Sequence, residues 1–317
     1  MTRAKPTRSS ASDPGRWRLS DRAALTLDRP CLLAILNVTP DSFHDGGQHA
    51  TPAEAAQFAA ELVEQGADAI DVGGQSTRPG ARPVPESEQI RRVVPTIRAI
   101  RASGGATGRI PITIDTTRAA VARAALDAGA DAINDVSGGL EDPAMLDLAA
   151  QRRAGIVLMH RLKRPEQEAY SDQYAVEPDY ADVVRQVRSA LASMLDRALA
   201  AGVAPEAIVL DPGLGFGKSV EQNLELVRRT GELLELGRPI LSGASRKSFV
   251  GAASAVGGTG GATTPADRLF GTIGLSVMHW VRGARVFRVH DVRAHAEALA
   301  AAGAVGLSAK GRPARPG

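Results

Sequence analysis

Two hydrophobic patterns alternate along the chain between residue 31 and about residue 301. Short apolar runs, such as Cys31 to Leu36 and Ala207 to Leu210, stop abruptly at a polar residue. The stretches between them carry apolar residues every third or fourth position, the period of a helix with one buried face. Thr51-Pro52-Ala53-Glu54 opens such a helix, with Thr51 as cap, Pro52 at the first helical position and Glu54 closing a capping box. Ala55, Phe58, Ala59 and Leu62 form its apolar stripe, and Gly66 ends it. Further helices are predicted over 86–102, 117–128, 142–152, 179–201, 219–235, 264–282 and 291–301.

One unit recurs: Gly66-Ala67-Asp68-Ala69-Ile70-Asp71, then Gly129-Ala130-Asp131-Ala132-Ile133-Asn134-Asp135, then Gly283-Ala284-Arg285-Val286-Phe287-Arg288. Each is a helix end, a short turn and a strand finishing on a polar residue. Strands alternating with helices mean βαβ units and a parallel sheet. Eight strands are expected, ending near Asn37, Asp71, Asp115, Asn134, His160, Asp211, Ser242 and His290. Eight such units predict an α/β fold, a single TIM (β/α)8 barrel over 29–302, with function at the carboxyl ends of the strands. A doubly wound sheet is the alternative, and it gives less reason for a polar end on every strand. Residues 1–28 lack periodicity and are rich in Arg, Ser and Pro, so they read as a flexible N-terminal extension, and 303–317 as a flexible C-terminal tail.

Composition narrows the class. The 317 residues are 44% hydrophobic and 23% charged, enough for a large core. A net charge of +3 and 3% aromatic residues argue against nucleic acid as partner. No apolar run is long enough to span a membrane, and the basic, polar N-terminus lacks a signal core, so a cytoplasmic location is expected. The one cysteine, Cys31, heads an apolar strand and reads as a buried structural thiol.

Candidate chemistry sits at the strand ends and in long loops at 38–51, 74–85, 161–178 and 252–263. Asp211 to Ser219 reads D-P-G-L-G-F-G-K-S, one residue short of a phosphate-binding loop. What remains is a carboxylate at a strand end, and Lys218 and Ser219 read as a helix start. Arg288 and His290 lie two apart on a strand and share a face. With Arg78 they suit phosphate oxygens, and Asn37 could complete the shell of a Mg²⁺ bound to phosphate and water. Opposite this set, Asp115, Asn134, Asp211 and Lys247 suit the donor edge of a nitrogen heterocycle. Asp71 admits two readings, helix cap or site residue. His160 admits a core or a site role, and Arg246 a salt bridge or a ligand contact.

These segments resemble the dihydropteroate synthase family. The shared text is I-L-N-V-T-P-D-S-F at 35–43, D-V-G-G-Q-S-T-R-P-G-A at 71–81, I-D-T at 114–116 and I-N-D-V-S-G-G at 133–139. It continues with L-M-H at 158–160, D-P-G-L-G-F-G-K at 211–218, S-R-K-S at 245–248 and R-V-H-D-V at 288–292. The resemblance implies a barrel enzyme, a transferase and sulfonamide target of folate biosynthesis, acting as a homodimer. It would join 6-hydroxymethyl-7,8-dihydropterin pyrophosphate to p-aminobenzoate, giving 7,8-dihydropteroate and pyrophosphate. By position it assigns the pterin to Asp115, Asn134, Asp211 and Lys247, and the pyrophosphate to Asn37, Arg78, Arg288 and His290, with Mg²⁺ on Asn37. Thr77, Phe216 and Ser245 would border the p-aminobenzoate pocket, under loops bearing Asp41, Phe43 and Arg78. Asp115, Lys247, Arg78 and Asp41 form the implied catalytic set. Asp115 would stabilise positive charge on the pterin methylene, and no protein nucleophile is required.

Three positions depart from the family pattern: His44, Gln75 in place of a common Glu, and Arg161 in place of a Met expected to floor the pterin pocket. A methyl-transferring pterin-binding domain and a non-catalytic pterin-binding paralogue are the rival readings. The first would not need S-T-R-P-G or R-V-H; the second is kept open by Gln75 and Arg161.

Overall fold

A computed structural model describes residues 15–39, 51–255 and 263–306. Two short strands, β1 (Arg16–Arg18) and β2 (Ala24–Thr26), pair antiparallel as a hairpin. Eight strands follow: β3 (Cys31–Asn37), β4 (Ala69–Gly73), β5 (Ile112–Asp115), β6 (Ala132–Asp135), β7 (Gly155–Met159), β8 (Ile208–Asp211), β9 (Leu241–Ser242) and β10 (Val286–Val289). All neighbours pair in parallel, in the order β8-β7-β6-β5-β4-β3-β10-β9. A parallel bridge from Leu210 to Ile240 closes the ring between β8 and β9. The barrel expected from the alternating pattern is therefore present, and each expected strand end falls within two residues of the observed one.

The helices also follow the pattern. Helix Pro52–Glu64 has both halves of its capping box, with Thr51 and Glu54 exchanging hydrogen bonds. The stretch expected at 219–235 is broken into Val220–Arg228 and Thr230–Leu234, and a helix at Ser248–Ser254 adds to those expected. Outward-facing strand residues such as Leu36, Ile70, Val72, Ile112 and Ile114 pack beneath the helices in the largest apolar cluster.

The inward-facing residues form layers, because successive strand side chains alternate sides. The lowest layer is apolar: Leu33, Ala69, Ala132, Val157, Val209, Leu241 and Val286. Above it, two residues further along the strands, the interior turns polar at Asp71, Thr113, Asn134, Asp211 and Arg288, of which Asp71 and Thr113 have no exposure at all. Buried polar groups persist only when paired. That layer is where the site forms.

The segment 15–27 differs from the flexible extension expected ahead of residue 29. Trp17 is fully buried and packs with Leu19 and Leu27 onto the lowest layer, closing the amino-terminal mouth of the barrel. Its Nε1 donates to the carbonyl of Ala207 at 3.1 Å, and Gly155 N–H donates to the carbonyl of Leu19 at 2.6 Å. Arg22 then reaches Asp131, which also accepts from Arg101 and from the backbone N–H of Ile112. Cys31 is the buried thiol expected. Its Sγ points at the carbonyl of Thr26 at 3.3 Å, and burial pushes its pKa up to about 12.

Candidate active site

One cavity of about 370 Å³ opens at the carboxyl ends of the strands, and most of the expected site residues meet in it. Asn37, Thr77, Arg78, Asn134, Asp211, Phe216, Ser245, Lys247, Arg288 and His290 all line it. Asp115 lies beside it, lining a smaller adjoining cavity with Thr77 and Val136. Asp41, Phe43 and His44 lie outside the described residues.

Arg288 organises the floor. Its Nε donates to Asp71 Oδ2 at 2.6 Å and its Nη2 to Asp115 Oδ2 at 2.7 Å. Asp71 also accepts from Asn134 Nδ2 at 3.0 Å and from the hydroxyl of Thr113, its register partner on β5. Asp71 is thus no helix cap: the next helix, Glu86–Ala102, begins more than a dozen residues later, after the 74–85 loop. It is a fully buried partner of Arg288, a role that the sequence left ambiguous. The expected anion set and heterocycle set also differ from two groups facing each other, since Arg288 joins them directly at Asp115. One cation between two carboxylates leaves an excess negative charge. Burial raises the pKa of Asp115, with Arg288 opposing and Asp71 adding to the rise.

The glycine-rich stretch after β8 aims the next two groups. Gly213 has φ 68°, and a Cβ there would stand 1.8 Å from the carbonyl oxygen of His160, so only glycine lets the two backbones approach. Asp211 accepts from the Gly213 N–H at 2.7 Å, and burial raises its pKa while Lys247 pulls it back. Lys247 stands over the Phe216 ring, 4.1 Å from its centroid, and donates to the Leu214 carbonyl. Burial draws its ammonium down to about 7, against Asp211 and with Arg288.

Lys218 does more than begin a helix. Fully buried, its Nζ lies 3.0 Å from the Gly213 carbonyl, 2.7 Å from that of Phe216 and 3.1 Å from His160 Nδ1. It braces the loop from behind. Burial lowers it to about 7 and lowers His160, beside it, to about 2. Ser219 caps Val220–Arg228, with Gln222 completing the box.

His290 and Ser245 face each other, with Nδ1 and Oγ 3.0 Å apart, and the His290 N–H donates back to Oγ at 3.2 Å. Burial, then Arg288 and Arg246, lower the imidazole to about 3, so it is neutral at physiological pH. In the tautomer where Ser245 Oγ donates to Nδ1, Nε2 carries the remaining ring hydrogen.

The 74–85 loop is anchored at its base. Gln75 Oε1 accepts from Gln89 Nε2 at 2.9 Å and from Val84 N at 3.2 Å, and Arg92 Nη1 holds the Gly74 carbonyl at 3.0 Å. Gln75 is therefore part of a neutral amide clamp. Arg161 does not floor the main cavity. It pairs with Glu141, whose other oxygen accepts from Thr117, and it lines the smaller cavity. Met159 provides the floor, packed with Val136 and Phe216. Sequence reasoning missed Met159 and Val136. Their signal was strand alternation: Val136 lies two positions past Asn134 on the same face.

Residues 33–290 match the family described as "Pterin binding enzyme". The dihydropteroate synthase of Mycobacterium leprae is 44% identical over 86% of this chain and 92% of its own length. The Xanthomonas albilineans dihydropteroate synthase, solved with 4-aminobenzoic acid, aligns with a TM-score of 0.80 and 40% identity over 92% of this chain and 98% of that one. The Thermus thermophilus enzyme, solved in complex with 6HMPPP, aligns with a TM-score of 0.74 and 39% identity, covering 92% and 99%.

Proposed function

We infer what the residues do from one premise: the chain belongs to the pterin-binding enzyme family and, within it, to the dihydropteroate synthases, which are transferases. The reaction joins 6-hydroxymethyl-7,8-dihydropterin pyrophosphate to p-aminobenzoate and releases pyrophosphate. The observation that carries the assignment of roles is a single cavity holding both Asn134, Asp211 and Lys247 and the donors Arg78, Arg288 and His290. We propose that Asp211 and Asn134 take the amino edge of the pterin, that Lys247 donates to its carbonyl, and that Met159 and Val136 lie under the ring. Arg78, Arg288 and the Nε2–H of His290 hold the pyrophosphate. Thr77, Phe216 and Ser245 border the aminobenzoate.

As the bond from the pterin methylene to oxygen lengthens, positive charge grows on the carbon and negative charge on the departing pyrophosphate. Asp115 stabilises the first from a buried position, where its charge acts most strongly. The cationic groups stabilise the second. The neutral aniline nitrogen then attacks the methylene as the carbon–oxygen bond breaks, and the proton it sheds passes to the departing pyrophosphate. No protein nucleophile enters.

Mg²⁺ fits the residues present. Among the described residues no three His, Cys, Asp or Glu side chains cluster as a metal cage. The cavity offers the amide oxygen of Asn37, which occupies room left by Gly73: a Cβ there would stand 3.1 Å from it. A single hard oxygen suits an ion held otherwise by phosphate and water, and such an ion neutralises charge on the leaving group.

We further propose a homodimer formed through helix Leu269–Val281, where Phe270, Met278 and Val281 stand exposed on one face. Unpartnered apolar faces of this kind mark interaction surfaces. No helix among the described residues is long and apolar enough to cross a membrane, and we assign the protein to the cytoplasm.

The deciding assay is pyrophosphate release from the pterin pyrophosphate. It should require both Mg²⁺ and p-aminobenzoate and be blocked by a sulfonamide. Binding of the pterin without turnover would overturn the catalytic reading.

A further inference from the structure

Arg246 is one of two non-glycine residues with positive φ among those described, at 58°. A side chain with a Cβ is strained there and stays only where its surroundings hold it. Three contacts do so. The Arg246 N–H donates to Thr272 Oγ1 at 3.2 Å, its carbonyl accepts from Arg268 Nη1 at 3.0 Å, and its guanidinium forks onto Asp291, with Nε 2.9 Å from Oδ2 and Nη2 donating to Oδ1. Fork-to-carboxylate pairs are the strongest of these three kinds of contact.

Arg246 lines the rim of the cavity together with the residues on either side of it. Ser245 meets His290, and Lys247 crosses to the Leu214 carbonyl and the Phe216 ring. Asp291 directly follows His290. The exits of β9 and β10 are therefore joined by two consecutive rungs, Ser245 to His290 and Arg246 to Asp291.

We propose that Arg246 and Asp291 are positioning residues. Their ion pair holds the backbone at Arg246 in the left-handed conformation, and that conformation aims Ser245 and Lys247 into the cavity. What the site uses is the backbone turn, and the guanidinium serves only to hold it. This rests on the transferase reading for its kinetic readout, whereas its folding readout is independent of that reading.

The test is a four-protein series: the full chain, Asp291→Ala, Arg246→Gly and the double variant. Glycine adopts the same φ without a clamp. Asp291→Ala should weaken binding of the pterin pyrophosphate, measured calorimetrically without aminobenzoate, by tenfold or more. It should raise KM for that substrate by a similar factor and change kcat less. Arg246→Gly should bind within about threefold of the parent, and the double variant should recover to the level of Arg246→Gly. The proposal is overturned if Arg246→Gly loses as much as Asp291→Ala, which would mean the guanidinium itself is needed, or if the double variant is no better than Asp291→Ala. Should the parent protein bind no pterin, the functional reading fails. Thermal midpoints then decide the present inference: the double variant must melt above Asp291→Ala, and the reverse order overturns it.

Discussion

Arg288 Nε and Asp71 Oδ2 lie 2.6 Å apart in the barrel interior, although 217 residues separate them along the chain. The pair fixes which way the guanidinium fork points, so that Nη2 can reach Asp115 while Nη1 takes part in neither ion pair.

Replacing Asp71 with Asn keeps the shape but removes the charge that orients Arg288 and puts a donor NH2 where one accepting oxygen stood. A hydrogen bond to a charged partner contributes about 1.5–3 kcal/mol, so kcat/KM should fall on the order of tenfold to a hundredfold. Steady-state kinetics alongside a thermal melt check this. An Asp71→Asn enzyme with unchanged kcat/KM would remove Asp71 from the site.

Lys247 titrates near 7 in the folded protein against an ordinary value of 10.5. Between those two values the unfolded chain binds a proton that the native state has lost, so stability of the ligand-free protein rises with pH across that window. Pterin affinity should move the other way, because raising the pH through about 7 removes the ammonium that would donate to the ring carbonyl. Lys247→Met should flatten the affinity trend and only reduce the stability trend, because buried Lys218 is lowered across the same window. Chemical denaturation and calorimetric titration at several pH values measure them, and parallel trends would contradict the assigned role.

Trp17 closes the end of the barrel away from the cavity. Trp17→Ala should cost about 3–5 kcal/mol, as large-to-small core substitutions of aromatics do. In denaturant the midpoint should drop while KM for both substrates stays close to the parent value wherever the variant is folded. A variant of undiminished stability would show that the hairpin is not part of the core.

Phe270→Asp and Met278→Asp each put a charge on the exposed face of helix Leu269–Val281. Sedimentation at micromolar concentration should show the parent as a dimer and the variants shifted to monomer. A monomeric parent would remove the homodimer reading.

Much of this protein was legible before its structure. Alternating periods showed eight strand-helix units, and polar residues at strand ends marked Asn37, Asp115, Asn134, Asp211, Arg288 and His290, all of which converge at one end of the barrel. The hairpin was not legible: R-W-R and A-L-T are too short to carry a period, and Trp17 is buried by the barrel's lower layer rather than by any neighbour in sequence. The direction of Arg161 was left open for a related reason. It stands where the family pattern has a Met and could point away from the pterin ring or stack on it; the pleat of β7 turns Met159 inward, and Glu141, twenty residues away, holds Arg161 away from the main cavity.

What the sequence determined by itself is local: which segments are strands, which face of each is apolar, where each ends, and what chemistry it presents there. These follow from steric preference and side-chain period, which act over a few residues. Only the tertiary structure decided the pairings. Asp71 found Arg288, Lys218 found His160, and Asp291 found Arg246, because closing eight strands into a ring brings polar groups from distant segments into and around one interior. There a charge without a partner is too costly to keep.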